Sequence, residues 1–198
     1  MPTLWGSFEV KNSRLAQKML QQYLGSGNIK TLTDYAMEKL CDDFEELPLK
    51  FLNFHGGSDI DEIIDAMDFS VYVDDVQHII LDNLQFLMPR STTRRGIEKI
   101  DAQDEVIDKF RKFASEKNVN ITIVIHPRKE EDGLPLRMSS IFGSAKATQE
   151  ADMVMLLQKA EGRTWIDVKV MYIFLLTYFT NHNHHHYHQH YHNNFLEK

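Results

Sequence analysis

The sequence predicts an α/β fold: a mainly parallel sheet flanked by helices. Two observations carry this. Short apolar runs bounded by polar or turn residues alternate with amphipathic stretches of helical period. Two of the runs, His78 to Asn83 and Asn120 to His126, are continuously apolar until a polar end, the pattern of a parallel strand covered on both faces.

Thr3 to Phe8 reads as a short strand, followed by an amphipathic helix from Asn12 to Tyr23 that stops at Gly25. A second helix runs from Thr33, an N-cap, to Glu46, and Pro48 helps to end it. Phe51 to Phe54 is a brief strand ending at His55-Gly56-Gly57. Ser58 then caps a helix whose apolar face holds Ile60, Ile63, Ile64 and Met67, with Asp61 three residues on as a capping-box partner. After the strand at His78, Gln85 to Ile100 reads as a loop with a short helix. Asp101 to Glu116 is an amphipathic helix with Val106, Phe110 and Phe113 inward. Asn120 to His126 is a strand, about 127–138 a polar loop and about 144–151 a short helix. Met153 to Gln158 and Thr164 to Val170 are the last strands.

The chain has 198 residues, 42% hydrophobic and 26% charged, enough for one domain with a buried core. Its net charge of -7 leaves any nucleic-acid contact to a local group of Lys and Arg. Cys41, the single cysteine, cannot form an intrachain disulfide and is expected as a small buried group on the second helix. The apolar run Val170 to Phe179 is half of the roughly 20 residues that a membrane span needs. Met1 to Leu4 carries no Arg-rich targeting stretch. Asn181 to His192 holds seven of the ten histidines, a low-complexity tract without the fixed geometry of a metal site.

Ligands of open parallel sheets bind at the carboxyl ends of the strands. Three strands end there in Glu9, Asp82 and His126. The set matches what nucleoside-triphosphate hydrolysis requires: a carboxylate for the water shell of Mg²⁺, a second to polarise the attacking water, and a donor that senses the γ-phosphate. The segments around these residues extend the pattern. They are Gly6-Ser7-Phe8-Glu9-Val10-Lys11-Asn12, Phe44-Glu45-Glu46-Leu47-Pro48-Leu49, Phe54-His55-Gly56, and Val76 to Phe86. Val124 to Glu130 and Ser139 to Asp152 complete the series.

In these segments, and in their order from about Thr3 to Lys169, the chain resembles the mitochondrial branch of the RecA-like hexameric replicative DNA helicases. The resemblance implies a RecA-like motor domain that uses ATP and Mg²⁺ and acts on single-stranded and forked DNA. It also implies a hexameric ring, mitochondrial replication proteins as partners, and the mitochondrial matrix as the place of work. By the same resemblance Glu9 is the general base and Asp82 the metal-holding Walker B aspartate. His126 is the sensor, and Asp82, Asn83 and Gln149 are cofactor-binding. Arg128, Lys129, Arg137 and Lys146 are expected to face DNA, with Gly143 and Ser144 in a motif beside the channel. Glu130, Glu131 and Asp132 leave the loop after His126 nearly neutral, so each subunit would supply only one or two phosphate contacts.

The chain departs from that family in two places. No G-x-x-x-x-G-K-[ST] phosphate loop occurs in it, so the expected fold lacks the phosphate-loop strand and helix. That strand is expected beside the Asp82 strand, whose edge would then be open. After Lys169 an apolar run and the His-rich, disordered tail replace family-like sequence, which suggests translated intron or a mis-joined exon. Two units are therefore expected: 1–169, a partial RecA-like ATPase domain, and 170–198, a divergent tail. The alternatives are a non-catalytic RecA-fold module that binds DNA or joins rings, and a recombinase of the same fold.

Overall fold

The computed structural model describes residues 1–170 apart from 26, 55–58, 88–95, 129–133, 142–144 and 161. In chain order the elements are β1 (Thr3–Ser7), α1 (Asn12–Leu24), α2 (Asp34–Glu45), β2 (Leu49–Phe51), α3 (Ile60–Asp74) and β3 (His78–Asp82). They continue with α4 (Gly96–Lys117), β4 (Asn120–Val124), α5 (Lys146–Glu150), β5 (Met153–Ala160) and β6 (Arg163–Val170).

Four strands form one parallel sheet in the order β2-β1-β3-β4. From β1 the chain crosses to β2 on one side, then returns past β1 to β3 and continues to β4. Right-handed crossovers put α1 and α2 on one face and α3 and α4 on the other. The packing agrees: Lys109 and Lys117 of α4 reach Asp61 and Asp68 of α3, so the two helices run side by side in the same direction.

The core lies on the α3/α4 face. Leu4, Ile79 and Leu81 from the strands meet Ile63 and Met67 of α3 and Val106, Ile107, Phe110 and Phe113 of α4, all buried. Gly6 belongs to this face because a Cβ there would stand 3.0 Å from Leu52 and 3.2 Å from Leu81. The other face is thinly covered. Neither α1 nor α2 buries a residue, and β3 alternates between buried and half-buried positions instead of being closed on both sides. Tyr23 and Phe44 join α1 to α2 edge to face, with ring centroids 5.8 Å apart. Cys41 is consequently exposed rather than buried, because α2 turns no residue into the core.

The cap of α2 is as the sequence predicts: the Thr33 hydroxyl accepts from Ala36 N at 3.3 Å. Thr33→Ala is expected to cost about 1 kcal/mol, read as a lower urea midpoint with an unchanged slope. For α3 the cap is Asp59, whose carboxylate accepts from Asp61 N at 2.8 Å; Ser58 lies outside the described residues. Strand β2 sits two residues earlier than expected because Thr3 pairs with Leu49.

Two further expectations are corrected. The edge left open is not that of the Asp82 strand, since β3 pairs with β1 on one side and β4 on the other. Among the described residues the edge strands are β2 and β4, and Ile121 and Ile123 of β4 are only half-buried. The last two strands form a separate antiparallel hairpin, Met153 opposite Val170 and Ala160 opposite Arg163. Its two-residue turn needs a left-handed residue, and Gly162 supplies it at φ 75°. The expected boundary at Lys169 falls one residue before the last described one, and 171–198 lie outside the described residues.

Candidate active site

The strand order places the site. From neighbouring strands β1 and β3 the chain departs toward opposite edges of the sheet, so a crevice opens between their carboxyl ends. Glu9 follows β1 by two residues and Asp82 closes β3, with Phe8 N bonded to Asp82 O at 2.8 Å. His126 follows β4 by two residues, on the far side of β3.

Asn83 gathers these groups. It is fully buried, and its Nδ2 donates to Glu9 Oε2 at 2.9 Å and approaches His126 Nε2 at 3.3 Å. An amide donor facing Nε2 requires a lone pair there, so this geometry fits a neutral imidazole protonated on Nδ1. His126 Nε2 and Glu9 Oε2 are 3.8 Å apart. Asn83 Oδ1 is buried without a hydrogen-bond partner. The imidazole is placed through its backbone: Gln85 Nε2 donates to His126 O at 3.1 Å, and Gln85 Oε1 accepts from His126 N at 3.4 Å. Gln85 is the residue that sequence reading missed.

Burial pushes the Asp82 carboxyl above the usual range, and the neighbouring Glu9 charge pushes it further; His126 opposes them. A raised carboxyl pKa destabilises the fold. The penalty is absent below the unfolded value of about 3.9, grows as pH rises toward the folded value, and is complete above it. Asp82→Asn is therefore expected to melt about 2 °C higher than the parent at pH 7 and level with it near pH 3.5. A lower melting temperature at pH 7 would contradict this.

The donor set fits one of two implied groups. Among the described residues no three His, Cys, Asp or Glu side chains are placed to cage a metal ion. Mg²⁺ does not need such a cage, since it keeps several waters and binds through one or two carboxylates plus substrate phosphates. Asp82 suits that role, with Glu9 close enough to affect its charge. The other group, the nucleotide phosphates, meets no G-x-x-x-x-G-K-[ST] loop in this sequence.

The remaining predicted residues lie elsewhere. Arg128 and Arg137 are exposed at the two ends of the loop after β4, and Lys129 is outside the described residues. Arg128 N bonds to Ser140 O at 2.7 Å, and Pro127 bridges to Ile141, which closes the neck of that loop. Lys146 is turned toward Asp108, Nζ to Oδ2 2.5 Å, and this hydrogen bond raises its pKa. Gln149 is exposed on α5; Gly143 and Ser144 lie outside the described residues. No helix of the described residues is long and apolar enough to cross a membrane.

Two carboxylates, an amide and an imidazole thus meet at the switch point of a parallel sheet, the place where ligands of open α/β sheets bind. Residues 1–132 match the AAA domain family, and the chain belongs to it. Its fold is also that of replicative-helicase ATPase domains. A solved ATPase domain superposes with a TM-score of 0.62 at 13% identity, covering 79% of this chain and 59% of that one. The structure of a DnaB-like replicative helicase, solved with regard to its interactions with primase, gives 0.63 at 12% identity, covering 84% and 46%. The chain thus spans about half the length of these solved structures.

Proposed function

We propose that this chain is part of the motor of a ring-forming, ATP-dependent 5′-to-3′ DNA helicase of the mitochondrial replicative type known as Twinkle. The observation that carries the reading is the convergence of Glu9 and His126 on buried Asn83, next to Asp82. Mg²⁺ held through water by Asp82 would neutralise charge on the transferring phosphate. Glu9, with one oxygen held by Asn83, keeps its other oxygen for an attacking water. His126, held by Gln85, carries phosphate occupancy to the loop that begins two residues later. Arg128 and Arg137, with Lys129 and Lys146, supply the contacts to single-stranded DNA; Lys146 must first leave Asp108. Gln149 belongs to the nucleotide side. The family resemblance supports a hexameric ring, mitochondrial replication partners and work on forked DNA in the matrix.

The absence of a phosphate loop from this sequence favours a second reading, a RecA-fold module that binds DNA or joins rings without turnover. The helicase reading, and the module in its DNA-binding form, expect the purified chain to bind a labelled oligo-dT with an affinity that falls as salt rises. Both expect little or no ATP hydrolysis from this chain alone. Failure to bind would sink the DNA role, and clear DNA-stimulated turnover would show the missing cradle to be dispensable. A transcript that encodes the phosphate loop upstream of Thr3 selects the enzyme; a native product that begins at Met1 selects the module.

A further inference from the structure

We propose that Gln158 is a positioning residue whose buried amide fixes the chain at Leu136 and so aims Arg137 at nucleic-acid phosphate. The inference rests on the reading above that the loop after β4 faces single-stranded DNA.

Gln158 breaks a pattern. Along β5, Met153, Met155 and Leu157 are exposed, while Leu156 and Gln158 are buried on the opposite face. A third apolar residue would continue that inward face, yet the position holds an amide that is only 3% exposed. Burying an amide is unfavourable unless its hydrogen bonds are made, and here they are. Oε1 accepts from Leu136 N at 2.9 Å, and Nε2 donates to Leu136 O at 2.7 Å and to Asp167 Oδ2 of β6 at 3.0 Å.

The two bonds to Leu136 act as a neighbouring strand would. One bond lets a peptide swivel; a donor and an acceptor on the same residue fix its plane. Arg137 is next, and its own backbone is held from the other side. Arg137 N donates to Ser140 Oγ at 3.0 Å, and Ser140 N donates to Arg137 O at 2.9 Å. Ser140 is buried, and its carbonyl accepts from Arg128 N. The backbone of Arg137 is thus clamped between Gln158 and Ser140 while its side chain is exposed. A backbone ordered beforehand removes part of the entropy lost when the guanidinium meets a phosphate.

The test uses the full chain and a fluorescein-labelled oligo-dT, with affinity measured by anisotropy across a KCl series. Arg137→Ala should weaken binding about tenfold and lower the salt slope by about 0.7, the value for one single-strand phosphate. Gln158→Leu, similar in size but without the amide, should cause the same loss and the same change of slope. The double variant should bind no more weakly than Arg137→Ala alone. Gln158→Glu keeps the acceptor for Leu136 N and loses the donor for Leu136 O, so it serves if the Leu variant does not fold. In either variant the Leu136 amide should exchange with solvent about tenfold faster while the Leu81 amide in the central strand is unaffected. Parent-like binding by a folded Gln158 variant, or additive losses in the double variant, would overturn the proposal and leave the DNA reading intact. A parent chain that binds no oligo-dT, or Arg128→Ala and Arg137→Ala variants that bind as the parent does, would remove the DNA reading and the proposal with it.

Discussion

Asn83→Asp is expected to destabilise the protein by about 3 kcal/mol at pH 7. Asn83 is fully buried, and its amide donates to Glu9, so the substitution replaces a donor with an acceptor and adds a charge beside two carboxyl groups. The new carboxyl has a folded pKa above the unfolded value of about 3.9, for the same reasons that raise Asp82. Its penalty is therefore absent below about pH 4 and grows as pH rises through the folded value. Urea midpoints for parent and variant should converge near pH 4 and separate toward pH 7. A constant gap across that range would mean that lost packing, not charge, explains the cost.

Phe110→Ala should cost about 3–5 kcal/mol, against a total of about 5–15 kcal/mol for a typical domain. Phe110 is 2% exposed on the inner face of α4 and belongs to the cluster that joins α3, α4 and the central strands. The thin cover on the opposite face offers no second core to compensate. Chemical denaturation that showed a loss under 1 kcal/mol would place the core elsewhere.

What the sequence reveals here follows from the range of each interaction. Strands β1, β3 and β4 and helices α1 and α2 are legible because each is set by local pattern: an apolar run, a helical period, or Thr33 followed by a helix. The strand ends carrying Glu9, Asp82 and His126 are legible for the same reason. Their assembly is not, because Asn83 joins them across 74 and 43 residues of sequence. Gln85 and Gln158 escape notice because each grips a backbone, 41 and 22 residues away, and any side chain can precede a backbone amide. At Gln158 a signal was present, since a polar residue continues the inward face begun by Val154 and Leu156. Cys41 shows the converse error. An amphipathic period identifies which face turns inward without saying how deeply it is covered.

The unburied helices α1 and α2 have a kinetic consequence. Neither helix of that pair contributes a buried residue, whereas α3 and α4 carry much of the apolar interior. The molecule should therefore show two tiers of amide exchange, with α1 and α2 labelling through local excursions far below the global unfolding energy. Glu9 lies on the short link between β1 and α1. Each excursion would release one end of that link while Asn83 retains the other, making the proposed base the boundary between a labile unit and a stable one.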